Sequence, residues 1–184
     1  MENRTYKIGR LLRGLVWMLS LAGLVVLFLA LVNWLPSFRG AGYARQYRSV
    51  DEAKQSLKLH AVTVPGFFPE GISWPPFFVL AQMKPYEAIV MEFRAERKKA
   101  TELIVIQSSL LGRDEQLQRI RITQVKEETR YRLKGRNVLL QVGTCDNGVL
   151  CSKMSWQDND IYHTVILMSS PFELIRIVES MIRQ

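Results

Sequence analysis

Two histidines, His60 and His163, and two cysteines, Cys145 and Cys151, are the residues of this chain with the widest chemical range. The histidines stand far apart in the sequence, each in a β-prone segment, where a packed or hydrogen-bonded imidazole accounts for them. No H-E-x-x-H holds zinc on a helix, no G-x-S-x-G presents a nucleophile, and no G-x-x-x-x-G-K cradles phosphates. Glu92, Asp158 and Asp160 are carboxylates without visible mates, and an acid–base pair would have to converge from distant strands. Asp158-Asn159-Asp160 is rich in oxygen, yet its spacing is not that of an EF-hand and reads as a turn. These residues predict neither an enzyme nor a metal or cofactor site.

The cysteines carry more information. Cys145 and Cys151 flank Asp146-Asn147-Gly148, a hairpin turn sequence. Thiols astride one turn suggest a disulfide, which contributes about 2 kcal/mol by loop closure and belongs to an oxidising compartment. A two-residue Asn147-Gly148 turn would send the sulfurs to opposite faces, so bridging predicts a loop centred on Gly148. The alternatives are two free cysteines packed in a core, or a zinc site that lacks a second ligand pair.

The address of the molecule is written at the other end. Leu15 to Val32 is an unbroken apolar run, LVWMLSLAGLVVLFLALV, whose roughly eighteen residues span about 27 Å as a helix, close to the hydrocarbon thickness of a bilayer. Trp17 and Trp34 stand at headgroup level, and Pro36 stops the helix. The run is longer than a cleaved signal, and Ala41-Gly42-Tyr43-Ala44 is a weak cleavage candidate. It predicts one transmembrane helix over 15–36, after a short basic cytoplasmic segment, 1–14. Ser20, Gly23 and Ala30 would let a neighbouring helix approach closely. Arg4, Lys7, Arg10 and Arg13 before the helix compete with Arg39, Arg45 and Arg48 after it, so charge alone does not orient it. The disulfide does, placing the amino terminus in the cytoplasm and the larger part of the chain outside the cytoplasmic membrane.

The formal charge is +8. Basic runs at Arg94, Arg97, Lys98, Lys99 and at Arg130, Arg132, Lys134, Arg136 suit solvated strands, anionic lipid or an acidic partner. Nucleic acid is not expected, because no base-stacking motif accompanies them.

After a tether over 37–47 the pattern predicts one α+β domain, 48–184. Ser49 and Glu52 form a capping box for a helix over Val50–Leu57. His60–Val64 is β-prone, and Pro65-Gly66 and Pro69-Glu70-Gly71 turn the chain, with Gly71 free to take positive φ. Strands follow over 77–82, 86–94 with Ile89, Met91 and Phe93 on one face, 103–107, 117–125, 130–134, 137–142, 151–156 and 162–168. Short polar turns between them predict an antiparallel sheet. Ser170-Pro171 opens a last helix whose stripe of Leu174, Ile175, Ile177, Val178 and Met181 must cover that sheet. Trp74, Phe77 and Phe78 form an aromatic cluster that is either core or, with Arg97, Lys98 and Lys99, a partner-binding surface.

The segments Tyr47–Ala53 and His60–Gly71 resemble the opening of the bacterial domain-of-unknown-function family 4367, an S-x-E-E-A helix followed by P-x-y-L-P-e-G, with Phe68 in place of the usual leucine. Phe172–Met181 is similar to that family's closing helix, and Met154-Ser155-Trp156 to its late strand. The resemblance implies an exported domain behind one membrane helix, often tied to envelope sensing or anti-sigma-type proteins, and brings no catalytic residues. The expected function is therefore non-catalytic. One form is an accessory or assembly subunit of a membrane complex, touching membrane lipid and a protein partner. The other is an envelope sensor for a peptide or lipid.

Overall fold

The computed structural model describes residues 16–28, 30, 44–59, 62–95, 100–109 and 117–182. The chain divides into two units, Met1–Gly42 and Tyr43–Gln184.

In the first unit residues 16–28 form helix α1. Leu24, Val25, Val26 and Leu27 are consecutive, so they look to every side of a helix, and all four are exposed. Among the described residues no helix is long and apolar enough to cross a membrane. Of the span expected over 15–36, residues 15, 29 and 31–36 lie outside the described residues, as do 1–14 and the tether up to 43.

The second unit is an eight-stranded, wholly antiparallel sheet with a helix near each end of its sequence. The strands are β1 (Arg45–Tyr47), β2 (Phe78–Gln82), β3 (Ala88–Arg94), β4 (Thr101–Ser108), β5 (Ile122–Leu133), β6 (Arg136–Cys145), β7 (Leu150–Asp158) and β8 (Ile161–Leu167). Their order is β1-β2-β3-β4-β8-β7-β6-β5. The chain thus leaves β4 in the middle, crosses to the far edge as β5, and returns strand by strand until β8 pairs with β4.

Local chemistry explains the helices. Helix α2 (Val50–Leu57) is capped by Ser49, whose Oγ accepts the Glu52 N–H at 3.1 Å, while Glu52 accepts the Arg48 N–H at 2.8 Å. Helix α3 (Pro171–Met181) has Ser170 as cap and Pro171 at its first position. Leu174, Ile177, Val178 and Met181 are buried on one stripe, joining Met91, Phe93, Leu103, Val105, Met154 and Val165 of the sheet in the main core. On the opposite face Val90, Ile104, Ile106, Ile166 and both cysteines form a second core, beneath Leu117 and Ile120.

Ile89, Met91 and Phe93 are buried together as expected, but Ala88, Val90 and Glu92 are buried too, because both faces of β3 are covered. Four sequence readings are corrected. The strands expected over 117–125 and 130–134 are one strand, β5, which starts only at Ile122, since an edge strand needs no apolar face and two bulges absorb its irregular pattern; residues 117–121 are not strand. Residues 62–65 are not strand; the Gln107 side-chain amide holds Thr63 there, accepting its N–H at 2.9 Å and donating to its carbonyl. The end of the tether, Arg45–Tyr47, is paired with β2. Finally, the Cys145–Cys151 hairpin is not centred on Gly148. Thr144 faces Leu150 and Gly143 faces Cys151, so the two cysteines are diagonal neighbours on one face.

Candidate functional site

The feature that stands out chemically is an aromatic and cationic edge at the Phe78 end of β2, with Trp74 against Phe93 on the helix-covered side and Phe78 beside the buried Glu92 carboxylate on the other. It is built where Ile72 bridges Ala95 and the chain then turns through Trp74, Pro75 and Pro76 into β2. Gly71, at φ 82°, supplies the positive dihedral the corner needs. Pro76 and Val79 are buried, and Trp74 and Phe77 remain 45% and 37% exposed, unusual for side chains of this size. Phe93 is the floor: its ring lies 5.2 Å from that of Phe68 and 6.3 Å from that of Trp74.

Two arginines complete the surface. The Arg94 guanidinium sits 3.6 Å from the centre of the Phe77 ring, and that of Arg119 lies 5.1 Å from the centre of Phe78. Each contact places a cation on a negative ring face, worth about 0.5–1 kcal/mol where exposed. Each also holds the long side chain in one direction, lowering the entropy a partner must remove.

Glu92 explains why Arg119 is there. Its side chain is 3% exposed within an otherwise apolar strand. One carboxylate oxygen accepts the Thr101 hydroxyl at 3.2 Å, and the other lies 3.8 Å from the Arg119 guanidinium without a hydrogen bond. A buried carboxylate needs a counter-charge, and Arg119, 62% exposed, supplies it from the segment that crosses from β4 to β5.

Of the expected cluster, the rings of Phe77 and Phe78 lie 6.4 Å apart and Trp74 packs on Phe93, while Arg97, Lys98 and Lys99 lie outside the described residues. Ser20, Gly23 and Ala30 fall in the first unit, where Ser20 and Gly23 belong to α1. Cys145 and Cys151 are disulfide-bonded, with sulfurs 2.11 Å apart. Sequence reasoning missed Glu92, Arg94 and Arg119 as parts of the site. Glu92 did leave a signal, a lone acid inside AIVMEFR, whereas nothing local marks Arg119.

Among the described residues the remaining chemical groups do not converge. Glu92 and Asp158 project from opposite faces of the sheet, since Glu92 alternates with buried Met91 and Phe93 while Asp158 shares the side of Trp156. Asp158 forms an ion pair with Arg136 at 2.7 Å. Asn159 takes positive φ in the turn to β8, and among the described residues no group of His, Cys, Asp or Glu is placed to hold a metal ion. His163 is buried, and burial lowers its pKa to about 4 against a weaker opposing pull from Asp158, so its imidazole is neutral at pH 7. His60 lies outside the described residues. No family model, no curated protein and no solved structure matches the chain.

Proposed function

We propose that this is a non-catalytic, single-pass membrane protein whose α+β domain lies outside the cytoplasmic membrane and binds a protein partner, as an accessory or assembly subunit of a membrane complex. The observation that carries the reading is the exposure of Trp74 and Phe77 beside the ring-anchored Arg94. Aromatic and arginine side chains dominate interface energies, and here they are presented on a rigid sheet end. Support for the membrane comes from α1, apolar on every side and exposed, as a helix surrounded by lipid tails would be. The Cys145–Cys151 bond supports an oxidising compartment, and with it a cytoplasmic amino terminus.

Purifying the tagged full chain in mild detergent tests this reading. A stoichiometric membrane complex is expected, lost in Trp74→Ala/Phe77→Ala with the domain still folded. A solitary protein whose behaviour is indifferent to that double substitution overturns it.

A second reading, a sensor of the kind suggested by the resemblance to family 4367, draws on a separate feature. A cleft of about 460 Å³, within the size range of ligand sites, opens between Glu70, Gly71, Ile72, Glu102, Leu167 and Glu173. Capture of a soluble peptide or lipid there by a monomeric chain, abolished by Gly71→Val, favours the sensor over the subunit.

A further inference from the structure

The face of the sheet opposite α2 and α3 holds another hollow, about 220 Å³ in volume, lined by Gln118, Arg121, Ile122, Val125, Gln141 and Lys153. We propose that it is a binding site for a phosphate group, gripped between Arg121 and Lys153.

The backbone builds this hollow deliberately. Strand β5 breaks register twice, between Ile122 and Gln124 and between Val125 and Glu127. Bulges bend a strand and redirect its side chains, and these bring Ile122 and Val125 into one wall. The bend presses β5 onto Gly143, where a β-carbon would lie 2.1 Å from the Gln124 carbonyl oxygen. Both cations are rooted in the disulfide-bonded hairpin. The Arg121 carbonyl accepts the Asp146 N–H at 2.9 Å, directly after Cys145, and Lys153 follows Cys151 by one alternation on the same face of β7. A site held by a covalent staple and a bulge is preorganised, so binding orders little.

Charge selects the ligand. Among the described residues no carboxylate lines the hollow, and neither Arg121 nor Lys153 has an ion-pair partner. Around it Glu128 accepts from the Gln141 side chain at 2.9 Å, and the Asp146 backbone N–H donates to the Arg121 carbonyl. A guanidinium offers a planar fork and an ammonium a point charge, the pair that suits a doubly charged oxyanion. The apolar wall and the volume leave room for the organic part of a phosphate ester.

A phosphate group could arrive free or on a lipid headgroup, and one titration separates these. Thermal unfolding of the full chain in neutral detergent is followed against inorganic phosphate, and against a short-chain phosphatidic acid with the matching phosphatidylcholine as control, at ionic strength fixed with sodium chloride. A saturable rise in Tm is expected. Phosphatidic acid at least tenfold tighter than inorganic phosphate identifies the lipid source; equal affinities identify the free one. Arg121→Gln/Lys153→Gln should weaken binding at least tenfold, and Val125→Glu, at an exposed wall position, should do so without removing either cation. No saturable response to either ligand, or affinities unchanged in both variants, overturns the proposal.

Discussion

The His163 imidazole lies flat on the Trp156 indole, with ring centres 4.8 Å apart and planes 6° from parallel. The two residues face each other across β7 and β8 on the side covered by the helices. The His163 Nδ1 is buried without a hydrogen-bond partner, so a charged imidazole would be poorly solvated in this position.

Stability should therefore depend on pH through His163. Its pKa is about 4 in the folded state and 6.5 as a free side chain, so between these values the unfolded chain binds the extra proton and the folded chain does not. Stability is full above pH 6.5 and falls as the pH drops toward 4, by about 3 kcal/mol from this one group, then levels off. His163→Phe keeps a ring on Trp156 and removes the ionisation. Urea unfolding of both proteins between pH 7 and 4 should show the shallower slope in the variant; parallel slopes would exclude His163 as the source.

A second prediction concerns Ser180, near the end of α3. Its Oγ accepts the N–H groups of Gly66 and Phe67 at 3.0 and 3.1 Å and donates to the Ile177 carbonyl, while Arg176 lies over the Phe67 ring. One hydroxyl thus ties the last helix to the proline-glycine corner far back in the chain. Ser180→Ala strips a partner from two backbone donors and should cost about 1–2 kcal/mol in denaturant unfolding. Ser180→Thr, which retains the hydroxyl, should cost less.

That contact also marks where sequence reasoning runs out. Capping residues, the stripe of α3 and the alternation of Ile89, Met91 and Phe93 are local, and local chemistry determined them. The pairing of Ser180 with Gly66 is a product of tertiary packing and has no local pattern. Strand β5 fails for a different reason: it is an edge, so its outward residues from Thr123 to Arg130 are all exposed, and a strand without a buried face lacks the alternation that identifies one. Glu92 was legible as an anomaly in an apolar run, but its counter-charge comes from a distant crossover. The paired cysteines were legible as a bond, and their diagonal register was not, because the chain turns about Asn147 and sets Cys145 against Val149.

Gly143 gives a third prediction. It lies in β6 with no positive dihedral to require glycine, so its need is purely one of space. A methyl group there meets the Gln124 carbonyl, a backbone atom that cannot swing aside. Gly143→Ala should destabilise the domain by about 3 kcal/mol, at the upper end for overpacking, and Tm should fall accordingly. Gly148→Ala, in an open turn at φ 77°, tests strain without crowding and should cost about 1 kcal/mol.

The Arg119–Glu92 pair yields the last prediction, because its two members are so unequally exposed. Removing Arg119 leaves Glu92 buried with Thr101 as its hydrogen-bond donor, whereas removing the charge of Glu92 leaves an arginine that water can solvate. Breaking a fully buried pair costs about 3–5 kcal/mol, and the exposure of Arg119 reduces this to about 2. Arg119→Ala should therefore be clearly destabilising and Glu92→Gln close to neutral. The double variant should recover most of the loss, since the amide no longer needs a counter-charge. Equilibrium unfolding of all four proteins closes the cycle. Additive losses would mean that Arg119 acts only by packing on Phe78, and that the charge of Glu92 is balanced elsewhere.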